Sequence, residues 1–296
     1  MTPSILALLA LSCAAEAPPP SGVVLQAAAE GPSYRPAGSP DVLILSVSGH
    51  CFDCFGQEYN DEYMLDRGTP QAVAAVYERR GLTTAIWDYG DAFYTWVDGD
   101  DDVLVWGWLD LVAHLRSVER RWMRGFVDPT RIVVVAHSHG TVWAHSALWE
   151  TGVPVETLID LDGVCLAWED DSWSFGMGDA WMSVIDTYTA SSGEPAWFDL
   201  ANGCDSWSVP GVDRPQDIKE VVPDSARLNL EVTSSDWLLY DANVNWRADG
   251  TYGDIYGFSS EENHSGVLDP QSDAMRWVVD ALEADLDQSS SPWSFR

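Results

Sequence analysis

Lysine is almost absent from this chain. Lys219 is its single lysine, and Lys and Arg together number 15 against 47 Asp and Glu in 296 residues. A formal net charge of −32 excludes the basic surface that nucleic-acid phosphates require, so no nucleic acid is expected as a partner. It also argues against docking on anionic headgroups by charge, and it would repel an anionic substrate. Long apolar runs are lacking too. Ile5 to Leu11 is apolar but far shorter than a bilayer-spanning helix, and no later run is long enough. Metal-ligand spacing is a third absence. His137 and His139, with His50 and Asp53, hint at a site, yet no H-E-x-x-H or comparable motif occurs, and neither metal nor cofactor is expected. Asp98 to Asp102 resembles part of a calcium loop but has no glutamate at the twelfth position, and reads better as a solvated, helix-capping acidic loop.

The short apolar run identifies a targeting segment. It ends at Ser12-Cys13 and is followed by Ala14 to Pro20, a pattern similar to a bacterial lipoprotein signal with Cys13 as the lipidated residue. No Lys or Arg precedes the run, and Ala10 stands where such signals often carry Leu. Ordinary cleavage near Ala14 or Ala17 is the alternative, and either route exports the chain, with membrane attachment through Cys13 in the first. Residues 1–13 are thus read as signal, 14–40 as an Ala/Pro/Gly/Ser-rich tether, and 41–296 as the folded domain. Beyond Cys13 remain Cys51, Cys54, Cys165 and Cys204. An even number in an exported chain suggests disulfides, with Cys51–Cys54 and Cys165–Cys204 the preferred pairing of the three possible. A redox role for Cys51-Phe52-Asp53-Cys54 would need a helix opening there, and the motif follows a strand and a Ser-Gly-His turn instead.

Hydrophobic periodicity predicts an alternating series. Strands are expected at 41–47, 83–87, 131–135, 156–162, 227–233 and 254–258. Between them lie helices. One has Thr69 as N-cap, Pro70 at its first position and Gly81 as its stop. A long one is capped by Asp102, with an apolar stripe from Leu104 through Trp108, Leu111, Leu115 and Val118 to Trp122. A third spans 141–149 and ends near Gly152, and the last starts at Asp269-Pro270 with Met275, Val278, Val279, Leu282 and Leu286 inward. Alternation of this kind implies an α/β architecture, a mostly parallel sheet with helices on both faces.

The motif that carries chemistry is Ala136-His137-Ser138-His139-Gly140, placed after a buried strand and before a helix. A serine flanked at two positions either side by small residues resembles the nucleophile elbow of the α/β-hydrolases, in the Ala-x-Ser-x-Gly form of some small bacterial lipases. The resemblance covers most of residues 41–287. It implies a serine, an acid and a histidine in that chain order. The serine is Ser138. His264, on the loop between the last strand and the final helix, is the base implied. Asp236, at the end of strand 227–233, is the preferred acid, with Asp241 close by and Asp160 and Asp162, after the earlier strand, as alternatives. The oxyanion hole implied draws amides from His139 and from His50, in a Ser48-Gly49-His50-Cys51 loop similar to the His-Gly-x loop of bacterial lipases. His114 and His145 read as packing or solvated helix residues.

Sixteen tryptophans are many for this length. Trp168, Trp173, Trp181, Trp197 and Trp207 crowd residues 163–225, an insertion the resemblance implies to be lid-like or an acyl-binding wall, though local core is an equal reading. The expectation is an exported serine hydrolase cleaving carboxylic esters, lipase-like in substrate, acting on a small-molecule or lipid ester through an acyl-serine. The alternatives are a catalytically inert hydrolase fold that binds through its Trp-rich insertion, and a redox or structural envelope protein centred on Cys51 and Cys54.

Overall fold

The computed structural model describes residues 32–49, 63–91, 95–97, 104–165, 207–236 and 244–288. The signal segment, His50, Cys51, Asp53, Cys54, the acidic loop 98–102, Asp241, Cys204 and the tryptophans of 166–206 lie outside them. Residues 33–39, in the tether as read from sequence, lie against the domain: the Val127 amide donates to Ser33 O, the Arg35 amide to Asp128 Oδ1, and the Arg35 guanidinium pairs with Asp41.

Six strands form one parallel sheet. They are β1 (Val42–Val47), β2 (Thr84–Tyr89), β5 (Arg131–His137), β6 (Val155–Leu161), β8 (Ala226–Thr233) and β10 (Ile255–Ser259). Their spatial order is β10-β8-β6-β5-β1-β2, with every neighbour parallel. Two short pairs lie apart: β3 (Trp96–Val97) with β4 (Leu104–Val105), antiparallel, and β7 (Val221–Val222) with β9 (Trp246–Arg247), parallel.

Side chains alternate across each strand, and both faces are covered. On one face Leu43, Leu45, Val47, Ile132, Val134 and Ala136 pack with α3 (Trp108–Val118) and α4 (Gly140–Thr151). On the other, Val42, Ile44, Val133, Val135, Ile159 and Leu161 pack with α2 (Thr69–Glu78) and α5 (Asp273–Gln288). Each such Val, Leu or Ile contributes about 1.5–3 kcal/mol through burial. This is why the central strands β1 and β5 read as nearly unbroken apolar runs.

Three expected helix starts differ. Thr69 is not a cap: Gly68, at φ 82°, occupies that place, and Thr69 Oγ1 donates to Leu268 O. The helix expected from Asp102 begins at Trp108, because Leu104 and Val105 pair as a strand and extended Gly107 precedes the first turn; a π-helical turn at Glu119–Met123 follows it. The last helix begins at Asp273 rather than Asp269, since Ser272 Oγ accepts the Met275 amide and caps it, after a 3₁₀ turn at Gly266–Leu268.

A buried polar cluster crosses β6 and β8, where Asp160 and Glu231 stand side by side in register. Asp160 Oδ2 accepts from Asn229 Nδ2 (2.7 Å) and Asn245 Nδ2 (3.0 Å) and faces His145 Nε2 (3.1 Å). Burial, with Asp160 adding to it, pushes the Glu231 carboxyl up from 4.5 to about 7. The folded state therefore holds this proton after the unfolded chain has lost it. Stability is unaffected below the unfolded value, falls as pH rises from there to about 7, and is flat above. Glu231→Gln should stabilise the protein at pH 8 by up to about 3 kcal/mol and be neutral at pH 4. Denaturant titrations at both pH values measure this, and an equal effect at the two would refute the ionisation account.

Candidate active site

Strand order reverses between β1 and β5, and loops at the carboxyl ends of strands flanking such a reversal enclose a crevice. Val47 and Ala136 are register partners, so the loops after β1 and β5 start side by side. β5 ends at His137 and α4 starts at Gly140, leaving two residues for the reversal. Ser138 takes them through a left-handed φ of 56°, a strained value for a side chain of this type. Backbone bonds hold it there. Its amide donates to Leu161 O (3.1 Å), and its carbonyl accepts from the amides of Thr141 (3.1 Å) and Val164 (3.3 Å) and from Thr141 Oγ1 (2.7 Å).

Two glycines make the turn possible. A Cβ on Gly140 would lie 2.2 Å from Val47 O, and one on Gly49 would lie 2.6 Å from His137 O and 2.7 Å from both His139 N and Ser138 Cβ. The loop after β1 is thus pressed against the elbow. The His139 amide lies beside Gly49, on the side where an oxyanion donor is expected. The His139 ring faces Asp91 Oδ1 (3.2 Å), which also accepts from Trp143 Nε1 (2.5 Å). His50, the other expected donor, lies outside the described residues.

His264, on the loop after β10, meets a carboxylate at Nδ1, and that carboxylate is Asp162. This departs from the expectation of Asp236. β6 adjoins β5, so Asp162, one residue past β6, stands next to the elbow, whereas Asp236 follows β8, one strand further out. Asp162 also adopts a left-handed φ of 49°, its amide donates to Val232 O, and its Oδ1 accepts the Ser234 amide (2.7 Å). Burial opposes its charge, but the bonds from His264 and Ser234 outweigh burial and hold the carboxyl below its ordinary value. Ser234 and Ser235 are engaged in tying the β8 loop to Asp162 and to Glu262 O, and Asp236 is held by its amide on Ser234 Oγ (3.2 Å). Asp160, another alternative, belongs to the His145 cluster.

With Nδ1 on Asp162, His264 keeps Nε2 as a base. Ser138 Oγ and His264 are not hydrogen-bonded to each other among the described contacts; the neighbour of Ser138 joins them. His137 Nε2 donates to His264 O (3.0 Å), and the two rings lie 4.5 Å apart at 37°. His137 Nδ1 faces Tyr63 Oη (2.6 Å), which also accepts the Gly49 amide (2.8 Å). Burial, with His264 adding to it, drives the His137 imidazole down to about 3, so the ring is neutral. Tyr63 escaped the sequence reading because a tyrosine after Asn60-Asp61-Glu62 carries no motif.

The remaining histidines are structural. His114 Nδ1 meets Tyr89 Oη (2.9 Å) among the rings of Trp87 and Trp106, and burial lowers its pKa. His145 is fully buried, with Nδ1 at the carbonyls of Ile218 (3.1 Å) and Val221 (3.2 Å). Among the described residues no group of three or more His, Cys, Asp or Glu is arranged to hold a metal ion, and no helix is long and apolar enough to cross a membrane. Cys165, three residues past Asp162, is disulfide-bonded. Trp207 packs against Trp149 of α4, with ring centroids 4.9 Å apart and the planes tilted by 38°.

No protein-family model matches the chain, and no curated protein matches it. Solved structures similar to it include an esterase of Pyrococcus furiosus, at 13% identity and a TM-score of 0.41 over 85% of this chain and 83% of that one. A thermostable carboxylesterase cloned from a metagenomic library, EstE1, has 15% identity and a TM-score of 0.41 over 89% and 83%. An α/β-hydrolase superfamily protein from Enterococcus faecalis has 10% identity and a TM-score of 0.41 over 86% and 93%. At that distance none of them informs what this chain does, and its own strand order and turn geometry identify the architecture. A parallel sheet in this order, with a left-handed serine in the two-residue turn between strand and helix, is the α/β-hydrolase fold.

Proposed function

We propose that the protein is an exported carboxylic ester hydrolase that works through an acyl-serine intermediate on Ser138. The observation that carries this reading is the bond of His264 Nδ1 to Asp162 beside the strained serine turn. Asp162 fixes the tautomer in which Nε2 is unprotonated. His264 Nε2 takes the Ser138 proton as Oγ adds to the ester carbonyl, and returns it to the leaving alcohol. Water, activated by the same nitrogen, then releases the acid. The developing oxyanion is met by the His139 amide and, on the expectation from sequence, by that of His50.

A lipid or other apolar ester is the substrate class favoured by the aromatic composition of residues 163–225, which the family resemblance implies to be lid-like or an acyl-binding wall. Export rests on the N-terminal residues, with Cys13 as the candidate lipid anchor. A Cys165–Cys204 disulfide would close the insertion next to Asp162.

An alkyl fluorophosphonate tests the mechanism. It should form one adduct per chain, mapped by peptide mass spectrometry to Ser138, and should abolish turnover of p-nitrophenyl butyrate in step with labelling. An adduct elsewhere, or none, would favour the inert binding module and sink the serine mechanism.

A further inference from the structure

The contacts around Tyr63 define a directed chain of hydrogen bonds. His137 Nε2 faces a carbonyl, His264 O, so it must carry the proton. The ring is neutral, so Nδ1 is a bare acceptor and Tyr63 donates to it. The tyrosine oxygen in turn accepts the Gly49 amide. Every donor has one acceptor, running Gly49 amide to Tyr63 to His137 to the His264 carbonyl. The two ends are the loop that presses on the elbow and the loop that bears the base. The same short helix, α1 (Tyr63–Arg67), holds the base loop a second time, because Arg67 Nη1 donates to Ser265 O (2.7 Å).

We propose that Tyr63 and His137 are positioning residues that couple the oxyanion loop to the His264 loop through this relay. The inference rests on the ester-hydrolase reading above. Among the described contacts neither residue hydrogen-bonds Ser138 Oγ or His264 Nε2, and His137 meets the His264 ring only by packing against it. The relay has two effects. It commits the Gly49 amide to Tyr63, so the oxyanion donor from this loop must come from a later residue. It also pins the backbone of His264 to the residue preceding Ser138, so that base and nucleophile share one frame. Small misplacements of such a pair cost rate rather than binding, because ground-state contacts to the substrate are unchanged.

Tyr63→Phe deletes one oxygen and keeps the ring. It should lower kcat for p-nitrophenyl butyrate by roughly 10–100-fold, leave KM within about threefold, and lower the melting temperature by several degrees without unfolding the protein, since the Gly49 amide and His137 Nδ1 each lose a partner. His137→Leu should lose at least as much. His137→Gln, which keeps an N–H for His264 O and an oxygen for Tyr63, should recover part of that loss. Tyr63→Phe added to His137→Leu should cost little more, since the two act in one chain. A kcat within twofold of wild type for Tyr63→Phe, a loss confined to KM, or fully additive losses would overturn the relay. Should His137→Leu fail to fold, the Tyr63→Phe result decides alone. A wild type that neither turns over the ester nor takes up fluorophosphonate would overturn the hydrolase reading and the relay with it. An active wild type with an unaffected Tyr63→Phe overturns the relay only.

Discussion

Asp162→Asn should lower kcat by roughly 10³–10⁴-fold while leaving the protein folded. The reason lies in which oxygen is already committed. Asp162 Oδ1 accepts the Ser234 amide at 2.7 Å. An asparagine would keep its oxygen on that donor and turn its NH₂ group to His264 Nδ1. An NH₂ donor there selects the tautomer with the proton on Nε2, and a protonated Nε2 cannot accept from Ser138. The loss is therefore one of tautomer and not of packing. Asp236→Asn should change kcat by less than about twofold, because its carboxylate is not on His264. Steady-state kinetics with p-nitrophenyl butyrate separates the two, and a large loss at Asp236 with a silent Asp162 would reverse the assignment. Because Asp162 is held below its ordinary value, it stays ionised across the neutral range and adds no titration there.

Gly140→Ala should be among the most destabilising alanine substitutions in the chain. The new methyl would sit 2.2 Å from Val47 O and 2.8 Å from the Ser48 carbonyl carbon. Both are backbone atoms of a central strand and its exit, so neither can move without shifting β1 against β5. Overpacking of this kind costs about 3 kcal/mol, which lowers the melting temperature by roughly 6–12 °C in a domain of this size. Gly152→Ala is the contrast. Gly152 has a φ of 61° and open space around its Cα, so it suffers conformational strain alone, about 1 kcal/mol. Calorimetry on both variants checks this. Equal shifts would mean that close approach is not what requires glycine at 140.

The scaffold was readable because its signals are local. Each parallel strand falls within two residues of its expected place, and the signal is strongest at β1 and β5, where burial on both faces selects Val, Ile, Leu or Ala at nearly every position. The elbow was readable for the same reason: strand, small residue, serine, small residue and helix are contiguous. The acid was not. Both β6 and β8 lead into an aspartate, and nothing in their composition distinguishes Asp162 from Asp236. What decides is strand order, which brings β6 next to β5, and the left-handed turn at Asp162. Neither has a residue signature. The start of α3 was misread because an apolar stripe at helical spacing continues into Leu104 and Val105, where pairing with Trp96 and Val97 overrides it. Tyr63 was invisible because its partners, Gly49 and His137, are 14 and 74 residues away.

The separation of the site's parts along the chain bears on when it comes into being. Asp162 and His264 are 102 residues apart, and His137 reaches 127 residues to the His264 carbonyl. During synthesis the serine turn leaves the ribosome with β1 and β5 ahead of it and β6 following, yet His264 comes 102 residues after Asp162. A chain halted after β8 would hold the nucleophile without the histidine. On the proposed mechanism, reactivity is thus delayed until β10 and the loop that bears His264 have joined the sheet.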